Sequence, residues 1–476
     1  MPGRPDGNRS TARRRLLTRG YGLLLLFLFP LACPGYAGLT AFKTRFFFIS
    51  MGIFLVSLLA ASVKDMGDPR KALGAFRRRL SSERSERSGH PGKHPGPHPR
   101  RSEGTGGRIP GGSGNDASPA FASAALLLWL GLALISGLAS PFGSDVWLGQ
   151  GRGGGLPALL LYAALLFACQ AWAQPGKAEL WAAAAALLLL EIIALLQLNG
   201  GNPLGLYPNG WGYADHGLRY QGRFLSTLGN TGQLGAWFCL TVPALLAALC
   251  LEKGKARWLL LIPALAAVYL MLQAEMEGAL LGLIMGLLLL GPWLLAKSRR
   301  QRRRLLLLLA ALLILTLVFV YQYQGPAAGS LYQASQLLHG QAEDSFGSRR
   351  IGIWRAALAR IRQRPWLGFG PDCFDRAYAA LFQTDGMRVD AAHNEYLNMA
   401  VCLGLPAALA YMAALLRTIL ALVKGAAKNQ RLLIFAAALL CYALQDFFNF
   451  STPIAAPVFW AVWGMSLAAL RGRAPG

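Results

Sequence analysis

Three segments of the chain combine side chains that bind anions with a side chain that can accept a proton. His393 opens the run His393-Asn394-Glu395-Tyr396-Leu397, and imidazole has the side-chain pKa closest to neutrality. The other two segments supply arginines and polar neighbours: Arg219, Arg223 and Asn230, then Arg349, Arg350 and Trp354. Guanidinium groups bind phosphate oxygens in a bidentate manner. Together these side chains could hold a phosphorylated substrate and deprotonate a hydroxyl group.

Each of these residues also has a purely structural interpretation. His393 could cap a helix or lie at a membrane interface, and Arg223 and Arg350 could contact lipid headgroups. Arg349 competes with Arg350 for the same role, but Arg350 lies four residues before Trp354 and therefore shares a helix face with it.

The sequence lacks the common motifs of cofactor and metal chemistry. It contains no GxxxxGK[ST] phosphate loop and no HExxH motif. The seven cysteines show no metal-site spacing. The glycine-rich run 151–155 is typical of a turn before a transmembrane helix. We therefore expect no metal and no cofactor.

The composition indicates that these residues are positioned by a membrane protein. Of the 476 residues, 54% are hydrophobic and 14% charged, yet the net charge is +25, and the mean hydropathy is +0.39. These values exclude an ordinary soluble domain and a disordered chain. The positive charge alone could suggest nucleic-acid binding, but the basic residues lie between long apolar runs, so we expect no nucleic-acid partner.

Apolar runs long enough to cross a bilayer predict an all-α, polytopic bundle of about 12 transmembrane helices. The predicted spans are 20–40, 45–63, 120–139, 156–173, 178–198, 231–251, 257–273, 278–296, 304–323, 395–420, 431–449 and 454–470. The basic N-terminus could also be read as a signal peptide, but a second apolar run follows at once. A first membrane helix is therefore the preferred interpretation.

The distribution of basic residues predicts the orientation of the bundle. With the N-terminus in the cytoplasm, most of the 47 Lys and Arg residues fall in cytoplasmic segments. Six of them lie between residues 297 and 304. An even number of spans then places both termini in the cytoplasm of a cell (plasma or inner) membrane. The candidate residues face the extracytoplasmic side.

The spans divide the chain into five regions. These are 1–63 (N-terminal tail and first two helices), 64–119 (disordered basic cytoplasmic linker), 120–324 (helices 3–9), 325–393 (partly helical extracytoplasmic loop, which carries catalytic residues) and 394–476 (helices 10–12 and short tail). In the loop, Ile351, Trp354, Leu358 and Ile361 form one apolar helix face, and Pro365 ends that helix. Acidic residues near outer span ends could pair with the arginines, bind sugars or face water: Glu191, Glu275, Glu277 and Asp446.

In order and topology, these segments resemble the O-antigen ligase and polymerase superfamily of membrane glycosyltransferases over about residues 120–470. The similar motifs are the arginine four residues before Trp354, Pro365-Trp366-Leu367-Gly368-Phe369-Gly370 and the run that begins at His393. Two segments depart from the family's pattern. Gly229-Asn230-Thr231-Gly232 stands where members commonly have Gly-Asn-Pro-Asn, and Glu275-Met276-Glu277-Gly278 where members often have a Ser-Arg-Gly-like turn.

The resemblance implies a donor glycan attached to polyprenyl pyrophosphate. It implies that His393 is the general base on the acceptor hydroxyl and that Arg350 and Arg223 clamp the pyrophosphate. The remaining candidates would bind or orient substrate: Arg219, Arg349, Asn394, Glu395, Asn230 and Trp354. Asn394 and Glu395 would orient the imidazole or line the acceptor cleft. Because release of the lipid pyrophosphate supplies the driving force, the reaction needs no ATP and is expected to be metal-independent.

The expected function is transfer of this glycan to an acceptor hydroxyl on the extracytoplasmic face, in contact with membrane lipids. The acceptor could be a lipid A core, a growing glycan, a wall polymer or a protein, so O-antigen ligase, polysaccharide polymerase and protein O-oligosaccharyltransferase remain open. A transporter or flippase for lipid-linked sugars is the alternative from another class. A structural scaffold would account for the hydrophobicity but not for the ordered arginines and histidine.

Overall fold

The apolar runs fold as helices in the computed structural model, which describes residues 6–63, 117–149, 152–207, 212–215, 218–221, 224–326, 329–379 and 389–472. Nearly all of the predicted linker 64–119 and the candidate Arg223 lie outside these residues. Within them the prediction of an all-α polytopic membrane bundle is confirmed.

The helices are α1 (Asp6–Leu23), α2 (Phe29–Leu31), α3 (Leu39–Val63), α4 (Ala117–Leu138), α5 (Asp145–Leu148), α6 (Leu156–Trp172), α7 (Lys177–Leu198), α8 (Thr231–Leu251), α9 (Leu261–Gln273), α10 (Glu277–Leu295), α11 (Arg299–Tyr321), α12 (Gly329–Leu338), α13 (Arg350–Gln363), α14 (Phe374–Ala379), α15 (Glu395–Leu403), α16 (Leu405–Gly425), α17 (Leu432–Gln445) and α18 (Ala456–Leu470). A π-helical turn, Leu24–Leu28, joins α1 to α2. Short 3₁₀ turns are Pro203–Gly205, Ser226–Leu228 and Lys255–Leu260. Two small antiparallel hairpins pair β1 (Gly212–Asp215) with β2 (Leu218–Gln221) and β3 (Phe224–Leu225) with β4 (Gly229–Asn230).

Eight helical segments in the described part of the chain are long and apolar enough to cross a bilayer. They are Leu39–Ser62, Pro119–Leu138, Lys177–Leu198, Thr231–Leu251, Lys255–Gln273, Glu277–Leu295, Arg299–Tyr321 and Leu405–Gly425. The helices α6, α17 and α18 are shorter but equally apolar. These segments coincide with eleven of the predicted spans, although the tenth is interrupted.

The first predicted span, 20–40, starts and ends earlier than expected. Its helix begins at Asp6 and continues through the π-helical turn to Leu31. The ammonium group of Lys43, on α3, is fully buried and donates to the carbonyl oxygens of Phe29 (2.6 Å) and Pro30 (3.0 Å). It thereby satisfies carbonyls that the end of the helix leaves free.

The tenth predicted span, 395–420, is two helices rather than one. The break between α15 and α16 lies at Gly404, which has a φ of +88°. A Cβ atom there would come 2.3 Å from the carbonyl oxygen of Trp366. The N–H of Leu405 donates to the carbonyl of Pro365 (2.8 Å). The segment Pro365–Trp366 therefore inserts against the break, where only glycine leaves room for its backbone.

The interior of the bundle is formed by helices from both halves of the chain. In it α16 packs against α4, α17 against α8 and α10, and α18 against α6. Rings of Trp129, Tyr162 and Trp460 stack at the centre, with centroids 5.2–5.9 Å apart. In contrast, the Leu-rich helix α11 buries none of its residues and packs against α10 and α12 at its side.

Several helix ends meet at one end of the bundle. They are the N-terminal ends of α8, α10, α13, α15 and α18 and the C-terminal end of α17. At the opposite end, the Glu252 carboxylate accepts from Lys177 (3.3 Å) and Arg431 (3.0 Å). The candidate site residues lie at the first of these ends.

Candidate active site

A hydrogen bond joins helix α13 to the segment that carries the histidine. The indole N–H of Trp354, on α13, donates to the carbonyl of Ala392 (3.0 Å). The N–H of Ala392 donates in turn to the Asn398 side chain on α15 (3.2 Å). Trp354 thus positions the start of α13 next to His393 and is a structural anchor in this arrangement.

His393 lies in a strained turn immediately before α15. Its φ is +48°, a left-handed conformation that non-glycine residues rarely adopt, and Asn394 caps the helix by accepting from the N–H of Leu397 (3.0 Å). The half-buried imidazole meets the Phe450 ring edge-on, with centroids 5.1 Å apart. Such strain is typical of functional positions.

The surroundings of His393 hold its ring in the neutral form. Burial, followed by the positive charge of Arg350, lowers the pKa of His393 to about 4; Arg152 acts in the same direction, and the Asp390 carboxylate acts against them. At pH 7 the imidazole is therefore uncharged and has a lone pair available for a proton.

Arg350 is the first residue of α13 and presents a partly unsatisfied guanidinium group. Its Nη1 donates to the carbonyl of Gly347 (3.2 Å), whereas its buried Nε has no partner among the described residues. Burial lowers the pKa of Arg350, and the charge of Glu277 opposes that change. A buried, unpaired guanidinium N–H is costly and favours an anionic ligand.

The two adjacent arginines occupy different environments. Gly347, Ser348 and Arg349 all have positive φ values, and this turn separates the exposed Arg349 from the half-buried Arg350. The charge of Arg349 acts on Tyr378: burial raises the pKa of this tyrosine, and the positive charge of Arg349 opposes that change. Of the pair, Arg350 is the one that the structure brings to His393.

Arg152 belongs to the same cluster, although the sequence analysis treated its segment only as a turn. Its guanidinium group pairs with the Asp390 carboxylate (2.7 Å, both side chains largely buried) and lies 4.8 Å from the centroid of the Phe450 ring. The backbone N–H groups of Arg152 and Gly154 donate to the Asp372 carboxylate (3.3 and 3.0 Å). In the sequence, the only signal for Arg152 was a single basic residue in a glycine-rich turn at the end of a predicted span.

The Pro-x-x-Gly-x-Gly motif has a structural role. The N–H groups of Phe369 and Gly370 donate to the carbonyls of Val401 (3.0 Å) and Cys402 (2.7 Å) at the end of α15. A Cβ atom on Gly368 would come 2.5 Å from the Cys402 backbone. The motif therefore caps the C-terminal end of α15 and holds this helix against the segment that follows α13.

Glu395 and Asn230 also form internal hydrogen bonds. Glu395 donates its N–H to the carbonyl of Asp446 (2.9 Å) and accepts from the N–H of Ser451 (2.8 Å). Asn230 caps α8 by accepting from the N–H of Gly232 (2.7 Å). Both residues therefore fix the helix ends that frame His393.

A short network connects the start of α8 to the Phe450 ring. The Gln233 amide donates to the carbonyl of Phe450 (3.0 Å) and accepts from the hydroxyl of Thr452 (2.8 Å). Asn449 donates to the carbonyl of Gly232 (2.9 Å). The segment in which Gly-Asn-Thr-Gly departs from the family's pattern is thus tied to the ring that His393 and Arg152 contact.

The remaining candidates are less closely placed. Arg219 lies on β2 opposite Ala214, with its backbone alone described, and Arg223 is outside the described residues. Glu277 accepts from the hydroxyl of Ser330 (2.7 Å). Two of the acidic candidates, Glu191 and Asp446, are buried, and their carboxylate oxygens have no hydrogen-bond partner among the described residues.

The cluster unites an anion-binding surface with a neutral base. The positive charges of two guanidinium groups act on one uncharged imidazole, and this arrangement suits a substrate whose phosphate leaves while a hydroxyl loses its proton. In the described part of the chain, no three His, Cys, Asp or Glu side chains converge as a metal site.

Residues 262–412 match the model of a protein family described as O-antigen ligase (Wzy_C). The match confirms the resemblance to the O-antigen ligase superfamily. It includes Arg350, Trp354 and His393, and Arg152 and Asn230 lie before it. No curated protein matches the sequence.

Proposed function

We propose that this protein, whose residues 262–412 carry an O-antigen ligase domain, transfers a glycan from polyprenyl pyrophosphate to an acceptor hydroxyl. The domain supports a membrane glycosyltransferase of the ligase and polymerase superfamily. The donor, the acceptor class, metal independence and the extracytoplasmic location are parts of the proposal. The basic residues of segment 297–304 support this orientation, because they favour the cytoplasmic side.

The observation that carries the proposal is a neutral imidazole on which the positive charges of two guanidinium groups act. Arg350 and Arg152 both act on the charge of His393, and the Nε of Arg350 has no partner among the described residues. A pyrophosphate would occupy the arginines and supply the missing acceptor. Its glycosidic carbon would then lie near the base.

In the proposed reaction, the acceptor oxygen attacks the anomeric carbon of the donor sugar. As the new carbon–oxygen bond forms, the bond from that carbon to the phosphate oxygen breaks, and its electron pair leaves with the lipid pyrophosphate. The hydroxyl proton passes to a nitrogen of His393 and then to water. Arg350 and Arg152 stabilise the negative charge that develops on the leaving group.

Donor binding would also strengthen the base. The positive charges of Arg350 and Arg152 contribute to the low pKa of His393. A bound pyrophosphate offsets those charges, so the pKa of His393 rises and the imidazole becomes a better proton acceptor. The base is thus weak in the empty site and stronger once the donor is present.

The proposal is tested by His393→Ala and Arg350→Ala proteins at matched membrane levels in a deletion strain, with surface glycan as the measurement. We expect both to lose at least about 99% of transfer, since a positioned base contributes on the order of a hundredfold or more. The controls are His339→Ala and Arg355→Ala. His339 stacks on Tyr321, and Arg355 pairs with Asp344.

Normal transfer by His393→Ala would refute the mechanism and favour the transporter alternative. Loss of transfer in the two controls would show that the assay reports general damage to the loop. Chain-length profiles of the same samples separate the acceptors: loss of long chains with single units still attached indicates a polymerase.

A further inference from the structure

Two adjoining cavities lie at the end of the bundle opposite His393. One, of about 220 Å³, lies between the C-terminal end of α16 and the turn before α17. The other, of about 130 Å³, lies between α7, α8, α17 and α18. Asn429, Leu432 and Ala469 line both cavities, so the two cavities adjoin each other.

The charged side chains that line the first cavity are all cationic. Arg417, Lys424 and Lys428 face it, and its lining contains no carboxylate. None of the three forms an ion pair within the part of the chain that the structure describes. Arg417 lies eight residues before the last residue of α16, about 12 Å into the span at the rise of an α-helix. An unpaired cation at that depth is costly without an anionic partner.

The second cavity is apolar inside. Its walls are made by side chains such as Leu180, Ala244, Leu245, Phe435 and Val462. Its charged residues are Lys177, Glu179, Glu252 and Arg431. Both carboxylates are already paired, Glu252 with Lys177 and Arg431 and Glu179 with Arg19. The walls therefore offer an apolar ligand a site next to the cationic cavity.

We propose that these cavities bind one anionic phospholipid. Its phosphate lies among Arg417, Lys424 and Lys428, and an acyl chain enters the apolar cavity beside Leu432. A soluble anion would satisfy the cations but leave the apolar cavity empty, and a zwitterionic lipid would bring its own cation to them. Basic pockets between transmembrane helices are suited to acidic headgroups. The site is far from His393 and does not depend on glycan transfer.

The test measures lipid binding by the full-length protein in mild detergent, by native mass spectrometry and by thermal unfolding. Phosphatidylglycerol, phosphatidylcholine and glycerol 3-phosphate are added in turn. We expect phosphatidylglycerol alone to bind in a 1:1 ratio and to raise the melting temperature. The variant Arg417→Gln/Lys424→Gln/Lys428→Gln should bind it about a hundredfold more weakly.

A matched variant removes the same charge from the same end of the bundle. Arg299, Arg300 and Arg303 are exposed on the first turns of α11, and their replacement by Gln should leave the affinity within about twofold. Ala244→Phe fills the apolar cavity and should weaken binding of phosphatidylglycerol while all three cations remain. Unfolding without lipid shows whether each variant is folded.

Three results would overturn the proposal: equal affinity for phosphatidylcholine, equal loss of binding in the α11 variant, or full stabilisation by glycerol 3-phosphate. The first two would indicate non-specific association, and the third an anion site without a lipid chain. None of these measurements involves transfer of glycan, so their outcome is independent of the proposed reaction.

Discussion

At the scale of single residues, the chemistry of His393 is set by charges that come from distant parts of the chain. Arg350 is 43 positions earlier and Arg152 is 241 positions earlier. The sequence could predict His393 and Arg350 because their types and motifs indicate a base and an anion-binding group. It could not predict Arg152, because only folding brings the glycine-rich turn to Asp390 and Phe450.

The Arg152–Asp390 pair gives a prediction about pH dependence. His393 accepts a proton only in its neutral form, so activity falls as the pH drops through its pKa. The substitution Arg152→Gln removes a positive charge that lowers the pKa of His393. It also leaves the Asp390 carboxylate without its arginine partner, and this carboxylate raises the pKa of His393. The acid limb of kcat/KM should therefore move to a pH about one unit higher.

Asp390→Asn should move the acid limb in the opposite direction, and Arg355→Gln should leave it in place. The measurement is the pH profile of transfer with purified protein and a lipid-linked donor. A limb that does not respond to Arg152→Gln would mean that another group titrates.

At the scale of elements, hydropathy predicted where most helices lie but not where one of them breaks. Residues 395–420 form a mainly apolar run, so a single span was expected. The break at Gly404 arises from the backbone of Trp366 and Pro365, which belong to a different segment. The Pro-x-x-Gly-x-Gly motif was recognised from the sequence, but its role as a cap on α15 required the hydrogen bonds to Val401 and Cys402.

This packing predicts that Gly404→Ala destabilises the protein. The new methyl group would lie 2.3 Å from the Trp366 carbonyl oxygen, at a φ of +88°. We expect a loss of about 2 kcal/mol or more, measured as a lower midpoint of thermal unfolding in detergent. Gly131→Ala is the control, because a Cβ atom there meets nothing within 4 Å; an equal effect of both substitutions would contradict the prediction.

At the scale of the whole molecule, polar groups are distributed unevenly between the two ends. One end gathers the turn before α15, the start of α13 and the arginines around His393. The other has the cation-lined cavity and the segment 297–304. A surface enzyme needs its polar groups at one end of an apolar bundle, whereas a transporter needs them along a path through it.

The orientation of the bundle can be tested on the two sides of α11. Ser298, immediately before the helix, and Gln341, in the loop beyond α12, are both exposed. In right-side-out vesicles of a cysteine-free variant, a membrane-impermeant maleimide should label Gln341→Cys at once and Ser298→Cys only after permeabilisation, because the six basic residues of segment 297–304 favour the cytoplasmic side. The reverse pattern would place His393 on the cytoplasmic face and refute an extracytoplasmic reaction, while leaving the arrangement of His393, Arg350 and Arg152 unchanged.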